Sequence, residues 1–275
     1  MIPRIYVPSR GRADDRLLRG PSVQAPHGTD VVYVVGPDEI AKYSVAILRN
    51  GLPARVVSCE HQPNISAVRW WIGLHAQKDG LDRFVIMDDD VGLLVRKADD
   101  NWQLRGAEKD DVQQMLQWMW SELDRSQNVG ISPREGNNRV GVGNSAELTQ
   151  YNTRAMRVQG FQTEAFLACE HGRVRVMEDF DISLQILAAG GQIAVNYFWA
   201  QGQRMTNESG GCSEWRTHEI HEASARRLAE LHPGIVTLRQ KSNKTDKDGF
   251  GTRTEVTIQW KRAYLEGQKH AKPAG

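Results

Sequence analysis

The first 90 residues alternate short β-rich runs with helix-like segments, and this order of elements most narrows what the chain can become. Ile5 to Val7, Val31 to Val35, Arg55 to Ser58 and Phe84 to Met87 read as strands, with helix-like segments between them. Strands joined in this way pair in parallel, because a tight hairpin cannot bring the chain back in the same direction. Two of the connecting segments carry helix start signals: residues 37–49 open with Pro37-Asp38-Glu39, and residues 65–77 follow the cap candidate Asn64. In such sheets ligands sit beyond the carboxyl ends of the strands, so the residues just past each run are the ones to search.

With 275 residues, 40% of them hydrophobic, the chain can bury one substantial core, and one elaborated catalytic domain is expected. Residues 108–126 read as a helix with Val112, Met115, Leu116, Met119, Trp120 and Leu123 on its buried face. Gly141-Val142-Gly143-Asn144 reads as a turn between short strands and matches no phosphate-loop spacing. A helix from Asp179 to Ala189, ended by Gly190-Gly191, precedes the strand-like Gln192 to Val195, and another helix spans Ser213 to Leu231. Lys plus Arg total 35 against 34 for Asp plus Glu, so no global field draws the chain to a polyanion or a membrane. From Arg239 onward, however, nine basic residues face four acidic ones. The division expected is therefore a domain over 1–235 and a basic extension over 236–275. Cys59, Cys169 and Cys212 are widely spaced and form no CxxC pair, which speaks against a disulfide framework or a zinc site and for a reducing cytoplasm. No segment approaches the roughly 18 apolar residues of a membrane span, so no membrane partner is expected.

The sharpest chemical signal is Phe84-Val85-Ile86-Met87-Asp88-Asp89-Asp90-Val91-Gly92, an apolar strand ending in three carboxylates. Asp88 and Asp90, two residues apart, can face a common point and supply hard oxygen ligands to Mg²⁺ or Mn²⁺ held jointly with a diphosphate. The alternative is a solvated acidic turn. Glu178-Asp179-Phe180-Asp181 falls at a helix start, where a carboxylate can act as general base to an attacking hydroxyl or simply cap the helix and favour its dipole. Pro8-Ser9-Arg10-Gly11-Arg12 follows the first strand, with guanidiniums suited to a diphosphate, or else ordinary surface cations. Ser66 and Arg69, just inside the helix after Asn64, can reach a nucleotide, brace the Asp88–Asp90 turn or serve packing alone. His218 and His221 follow the Gly210-Gly211-Cys212-Ser213 loop; they are candidates to complete a metal shell, or are exposed helix histidines.

Taken in order, Pro3 to Arg12, Asn64 to Arg69, the Asp88-Asp89-Asp90-Val91-Gly92 turn, Glu178-Asp179 and Gly210 to Ser213 resemble the TET/JBP-associated glycosyltransferases of bacteriophages, over about residues 1–235. The resemblance implies an α/β, GT-A-like nucleotide-sugar-binding fold with a mostly parallel central sheet. It implies a hexosyltransferase that moves a sugar, by default glucose from UDP-glucose, to the hydroxyl of 5-hydroxymethylcytosine or a related hydroxymethyl pyrimidine in DNA. By it Asp88 and Asp90 fall on the metal carboxylates and Asp179 on the base, with Glu178 beside it; Pro8, Ser9 and Arg10 fall on the nucleotide pocket, to which Arg12, Ser66, Arg69 and Asp89 are added as donor-binding candidates. The basic extension fits a DNA partner: Lys241, Lys244, Lys247, Arg253, Lys261 and Arg262, with Phe250 and Trp260 interleaved, can track phosphates and stack an unpaired base, or remain a solvated tail. The competing readings are a polysaccharide or protein glycosyltransferase, a nucleotidyltransferase, and a non-enzymatic nucleic-acid-binding protein.

Overall fold

The computed structural model describes residues 4–13, 24–60, 64–97, 102–133, 148–203, 217–242 and 252–271. The first four strands, β1 (Ile5–Pro8), β2 (Val31–Val35), β3 (Ala54–Ser58) and β4 (Arg83–Met87), pair in parallel as expected, in the order β3-β2-β1-β4. Helix α1 (Ile40–Arg49) joins β2 to β3, and α2 (Ile65–Lys78) joins β3 to β4, capped by the Asn64 side chain accepting the Ala67 N–H at 3.0 Å. Side chains alternate between two cores, Ile5, Val7, Val85 and Met87 packing on one face of the sheet and Tyr6, Phe84 and Ile86 on the other. After β3 the chain returns across β1 to form β4. The crevice between the carboxyl ends of β1 and β4 is therefore a switch point, the usual place for a ligand.

Beyond β4 the sheet becomes mixed. β5 (Val91–Lys97), β6 (Gln103–Gly106), α3 (Lys109–Glu122), β7 (Asn128–Pro133), β8 (Thr149–Tyr151) and β9 (Val158–Gln162) follow, then the short α4 (Thr163–Leu167), α5 (Glu178–Ala188) and the long β10 (Ile193–Gln203). β9 runs antiparallel to both β4 and β7, while β10 runs parallel to β7 and antiparallel to β5 and β8. On α3 the expected face is buried at Val112, Met115, Leu116, Met119 and Leu123, whereas Trp120 lies half-buried under the Arg83 guanidinium. The expected turn at Gly141 to Asn144 and the loop from Gly210 to Ser213 lie outside the described residues, as does Cys212. Cys59 and Cys169 are free thiols.

The chain closes with α6 (His218–Leu231), the hairpin β11 (Val236–Ser242) and β12 (Thr252–Ile258), and α7 (Trp260–Ala271). Val236 and Ala263 join the second core, and a side chain on Gly267 of α7 would meet the Leu187 carbonyl oxygen at 1.9 Å, so glycine lets α7 lie directly on α5. Among the described residues no helix is long and apolar enough to cross a membrane.

Candidate active site

The site grows from the two strand ends that flank the switch point. Past the buried Pro8 the chain turns at Gly11, whose φ of 67° is left-handed and easy only for glycine. The turn is held by the Gly11 N–H donating to Glu39 Oε1 at 2.7 Å and the Arg12 N–H donating to the Tyr43 hydroxyl at 3.1 Å. The Ser9 hydroxyl donates to Asp89 and meets the Tyr43 hydroxyl at 2.7 Å, so the Tyr43 proton points at Ser9. The Arg12 guanidinium pairs with Asp89 and, at 3.5 Å, with Asp90. Asp89 thus ties the aspartate turn to the β1 turn. Burial pushes its carboxyl up to about 6, against the Arg12 charge and the Ser9 hydrogen bond.

The aspartates on either side of it are placed differently. The Asp88 and Asp90 side chains keep 25% and 21% of their surface open against 9% for Asp89, so the outer two face the crevice while the middle one is tucked into its wall. The Asp88 N–H donates to the Arg157 carbonyl at 2.9 Å, and its carboxylate accepts from Arg69 Nη2 at 2.8 Å. Burial raises the Asp88 carboxyl, the Arg69 charge opposes this, and Asp90 raises it further.

Arg69 also reaches the second acidic motif. Its Nε stands 3.5 Å from Glu178 Oε1, and its Nη1 donates to Gln159 Oε1 at 3.5 Å. Glu178 opens α5 directly after Met177, which holds φ at 67°; a left-handed non-glycine residue is costly and tends to persist where a site needs the geometry. Arg157, beneath Asp88, is left-handed too. Burial pushes Glu178 up to about 6, against Arg69 and reinforced by Asp179, which is half-buried and also raises Asp88. Arg69, Gln159, His171, Glu178 and Asp179 line a cavity of about 10 Å³, room for one water. Five carboxylates, Asp88, Asp89, Asp90, Glu178 and Asp179, thereby gather around the guanidiniums of Arg12, Arg69 and Arg157.

The expected site residues are only partly brought together. Ser9, Arg12, Arg69, the three aspartates, Glu178 and Asp179 converge. Ser66 is buried, accepts the Gly172 N–H at 2.9 Å and lines the same small cavity as Arg69, Glu178 and Asp179, while Arg10 is exposed after the β1 strand. His218 donates from Nε2 to the Thr252 carbonyl at 3.1 Å and lies 4.0 Å from Glu222; among the described residues no three His, Cys, Asp or Glu side chains converge as a metal site, so the histidines do not join the aspartates. In the extension, exposed Lys241 lies 3.7 Å from Glu255, Arg253 pairs with the same carboxylate, and Arg262 pairs with Glu266. Trp260 is half-buried and Lys261 exposed, while Lys244, Lys247 and Phe250 lie outside the described residues. Sequence reasoning missed Tyr43, Arg157 and Gln159. Tyr43 sits in an amphipathic helix and Arg157 and Gln159 in a mixed polar run, and no local pattern marks them.

A mostly parallel sheet with carboxylates at the β1/β4 switch point places the chain in the GT-A-like fold class. GalNAc-T7, solved with UDP, GalNAc and Mn²⁺, shares the fold at 14% identity and a TM-score of 0.50, over 74% of this chain and 44% of that one. The present chain therefore spans less than half the length of that protein. A nucleotide-diphospho-sugar transferase from Desulfovibrio desulfuricans aligns at 11% identity and a TM-score of 0.43, over 84% of this chain and 98% of that one. 4-Diphosphocytidyl-2C-methyl-D-erythritol synthase from Anaerococcus prevotii aligns at 11% and 0.43, over 84% and 96%. No curated protein matches the chain. The sequence profile described as TET-Associated Glycosyltransferase matches residues 3–211, and the chain belongs to that family: it is a glycosyltransferase.

Proposed function

We propose that this glycosyltransferase moves a sugar, by default glucose from UDP-glucose, to the hydroxymethyl oxygen of 5-hydroxymethylcytosine or a related pyrimidine in DNA. The observation that carries the mechanism is the Arg69 guanidinium bonded to Asp88 and facing Glu178, which joins the strand-end carboxylates to the start of α5. The DNA acceptor rests on the family's description and on the motif resemblance.

The residues fit a divalent cation. Among the described residues the five carboxylates exceed the three guanidiniums that bear on them by two charges, and Asp88 and Asp90 keep the more open side chains of the aspartate turn. Mg²⁺ and Mn²⁺ are commonly held by one or two carboxylates, with substrate phosphates and water supplying the remaining oxygens, so two protein ligands suffice. A cation held by Asp88 and Asp90 would supply positive charge to the departing diphosphate. Arg12 and Arg69 are engaged by aspartates, which leaves exposed Arg10 to meet the diphosphate while Ser9 and Asp89 fix the turn that presents it. Asp179 takes the proton from the acceptor hydroxyl as its oxygen attacks the anomeric carbon and the bond to the diphosphate breaks, a single displacement with inversion. Glu178, buried behind it against Arg69, keeps that end of the site anionic.

The test is calorimetry of UDP binding with and without Mn²⁺ for wild type and Asp90→Asn, together with mass spectrometry of nucleosides from hydroxymethylated DNA incubated with nucleotide sugars. The variant is expected to lose the Mn²⁺-dependent part of UDP affinity and all transfer. Wild-type UDP affinity in Mn²⁺ would remove Asp90 from the metal site, and unmodified nucleosides from wild type would remove the DNA acceptor.

A further inference from the structure

A second concavity, of about 1300 Å³, opens between residues 148–153, which carry β8, and residues 259–265 at the start of α7. It exceeds the roughly 300–1,000 Å³ of a small-molecule pocket, which suits a length of polymer better than a single metabolite. Its walls bring together the aromatic side chains of Tyr151, Trp260 and Tyr264 with the cations Lys261 and Arg262, and none of its described lining residues is acidic. Lys261 is exposed and has no ion-pair partner among the described residues. Arg262 pairs with Glu266 at 2.7 Å, but both side chains are about half open, and a solvent-exposed pair of this kind is weak enough to exchange for a phosphate.

We infer that this cleft is the path of an unpaired polynucleotide strand leading to the candidate base Asp179, an inference that rests on the DNA acceptor proposed above. Aromatic faces, cations and neutral amides such as Asn152 are the groups that bind single strands: bases stack on the rings and phosphates meet the cations. A neutral glycan would gain from carboxylates accepting its hydroxyls, and none of the described lining residues is one. A closed duplex keeps its bases stacked inside, so only an unpaired or flipped-out base can use the rings. The cleft also ends in the right place. The Trp260 ring stands edge-on to Phe180 at 5.9 Å, and the Arg154 guanidinium lies 4.5 Å from the centre of the same ring. Phe180 follows Asp179 in the first turn of α5, so the Trp260 end of the cleft lies against the helical turn that also bears Asp179. α7 is pressed onto α5 through Gly267, which fixes one wall of the cleft to the helix that bears Asp179.

The experiment is fluorescence anisotropy of a labelled oligothymidylate and of the matching duplex at several salt concentrations, for wild type, the double variant Lys261→Glu/Arg262→Glu, and Lys241→Glu. Both cleft positions are exposed, so the double variant should melt as wild type does, which circular dichroism checks. Wild type should prefer the single strand. The double variant should lose about tenfold or more in single-strand affinity, and its log–log salt slope should flatten by roughly 1.4, at about 0.7 for each phosphate no longer neutralised. Unchanged affinity and slope in the double variant overturn the cleft, as does a loss carried by Lys241→Glu alone. Nucleoside mass spectrometry run in parallel separates the two proposals. Transfer to DNA by a double variant with wild-type strand affinity refutes the cleft and spares the acceptor. Loss of strand affinity in the double variant, with no transfer by wild type, supports the cleft and refutes the hydroxymethyl acceptor.

Discussion

The two sides of the first turn of α5 carry carboxylates of opposite character. Asp181, 2% exposed, faces the C-terminal layer, where it accepts from Arg173 Nε at 3.0 Å, His232 Nε2 at 2.7 Å and Gln185 Nε2 at 3.1 Å. Burial would raise its carboxyl, but the hydrogen bonds from His232 and Arg173 and the Arg173 charge outweigh that and hold it below the usual carboxylate range. Glu178, 9% exposed, turns toward the aspartate turn, and its ion-pair cation, Arg69, stands 3.5 Å away and is shared with Asp88. There burial prevails and the carboxyl is pushed up to about 6. The contrast teaches that burial alone does not decide a carboxylate's role. What decides it is how many donors it has to itself: Asp181 is satisfied by three, whereas Glu178 shares its one cation with Asp88.

The largest effect that separates the two sides should be in turnover. Asp179→Asn keeps the shape but cannot accept a proton, so single-turnover transfer at saturating donor and Mn²⁺ should fall about 10²–10⁴-fold while UDP affinity holds. Asp181→Asn, assayed below its melting range, should retain far more of the rate, and an equal loss in both would break the distinction. Next in size is stability. Asp181→Ala strands the mostly buried Arg173 and should cost about 3–5 kcal/mol by urea denaturation. A cost below about 1 kcal/mol would mean that Asp181 is no structural lock.

The smallest effect sharpens the comparison through pH. A carboxyl raised from its ordinary 4.5 to about 6 contributes stability that is fully present below 4.5 and lost as pH rises through 6. Glu178 therefore weakens the folded state at neutral pH. Glu178→Gln should exceed wild type in stability at pH 7, with the gap closing as pH falls to 4.5. Asp181 has the opposite sign: its contribution is present above the ordinary carboxylate value and lost as pH falls through its lowered one. Parallel stability–pH curves for wild type and Glu178→Gln would show that Glu178 carries no raised carboxyl.

Much of the architecture was legible from local patterns. The four parallel strands, α1 and α2, the Asn64 cap and the core stripe of α3 follow from strand alternation, helix period and capping, which act over a few residues of chain. The carboxylates at the end of β4 and the start of α5 were visible for the same reason. The sequence by itself thus determined the element types, the parallel half of the sheet and which acidic runs sit at element ends. Only the tertiary structure decided that Asp89 turns into the wall while Asp88 and Asp90 face the crevice, that Arg69 reaches both Asp88 and Glu178, and that Glu178 and Asp181 part to opposite sides of one helical turn. It also decided that α7 lies along α5 and carries Trp260 against Phe180. A charge's partner and a carboxylate's burial depend on which distant segment packs against it, and chain spacing holds no record of that until the sheet and its covering helices close.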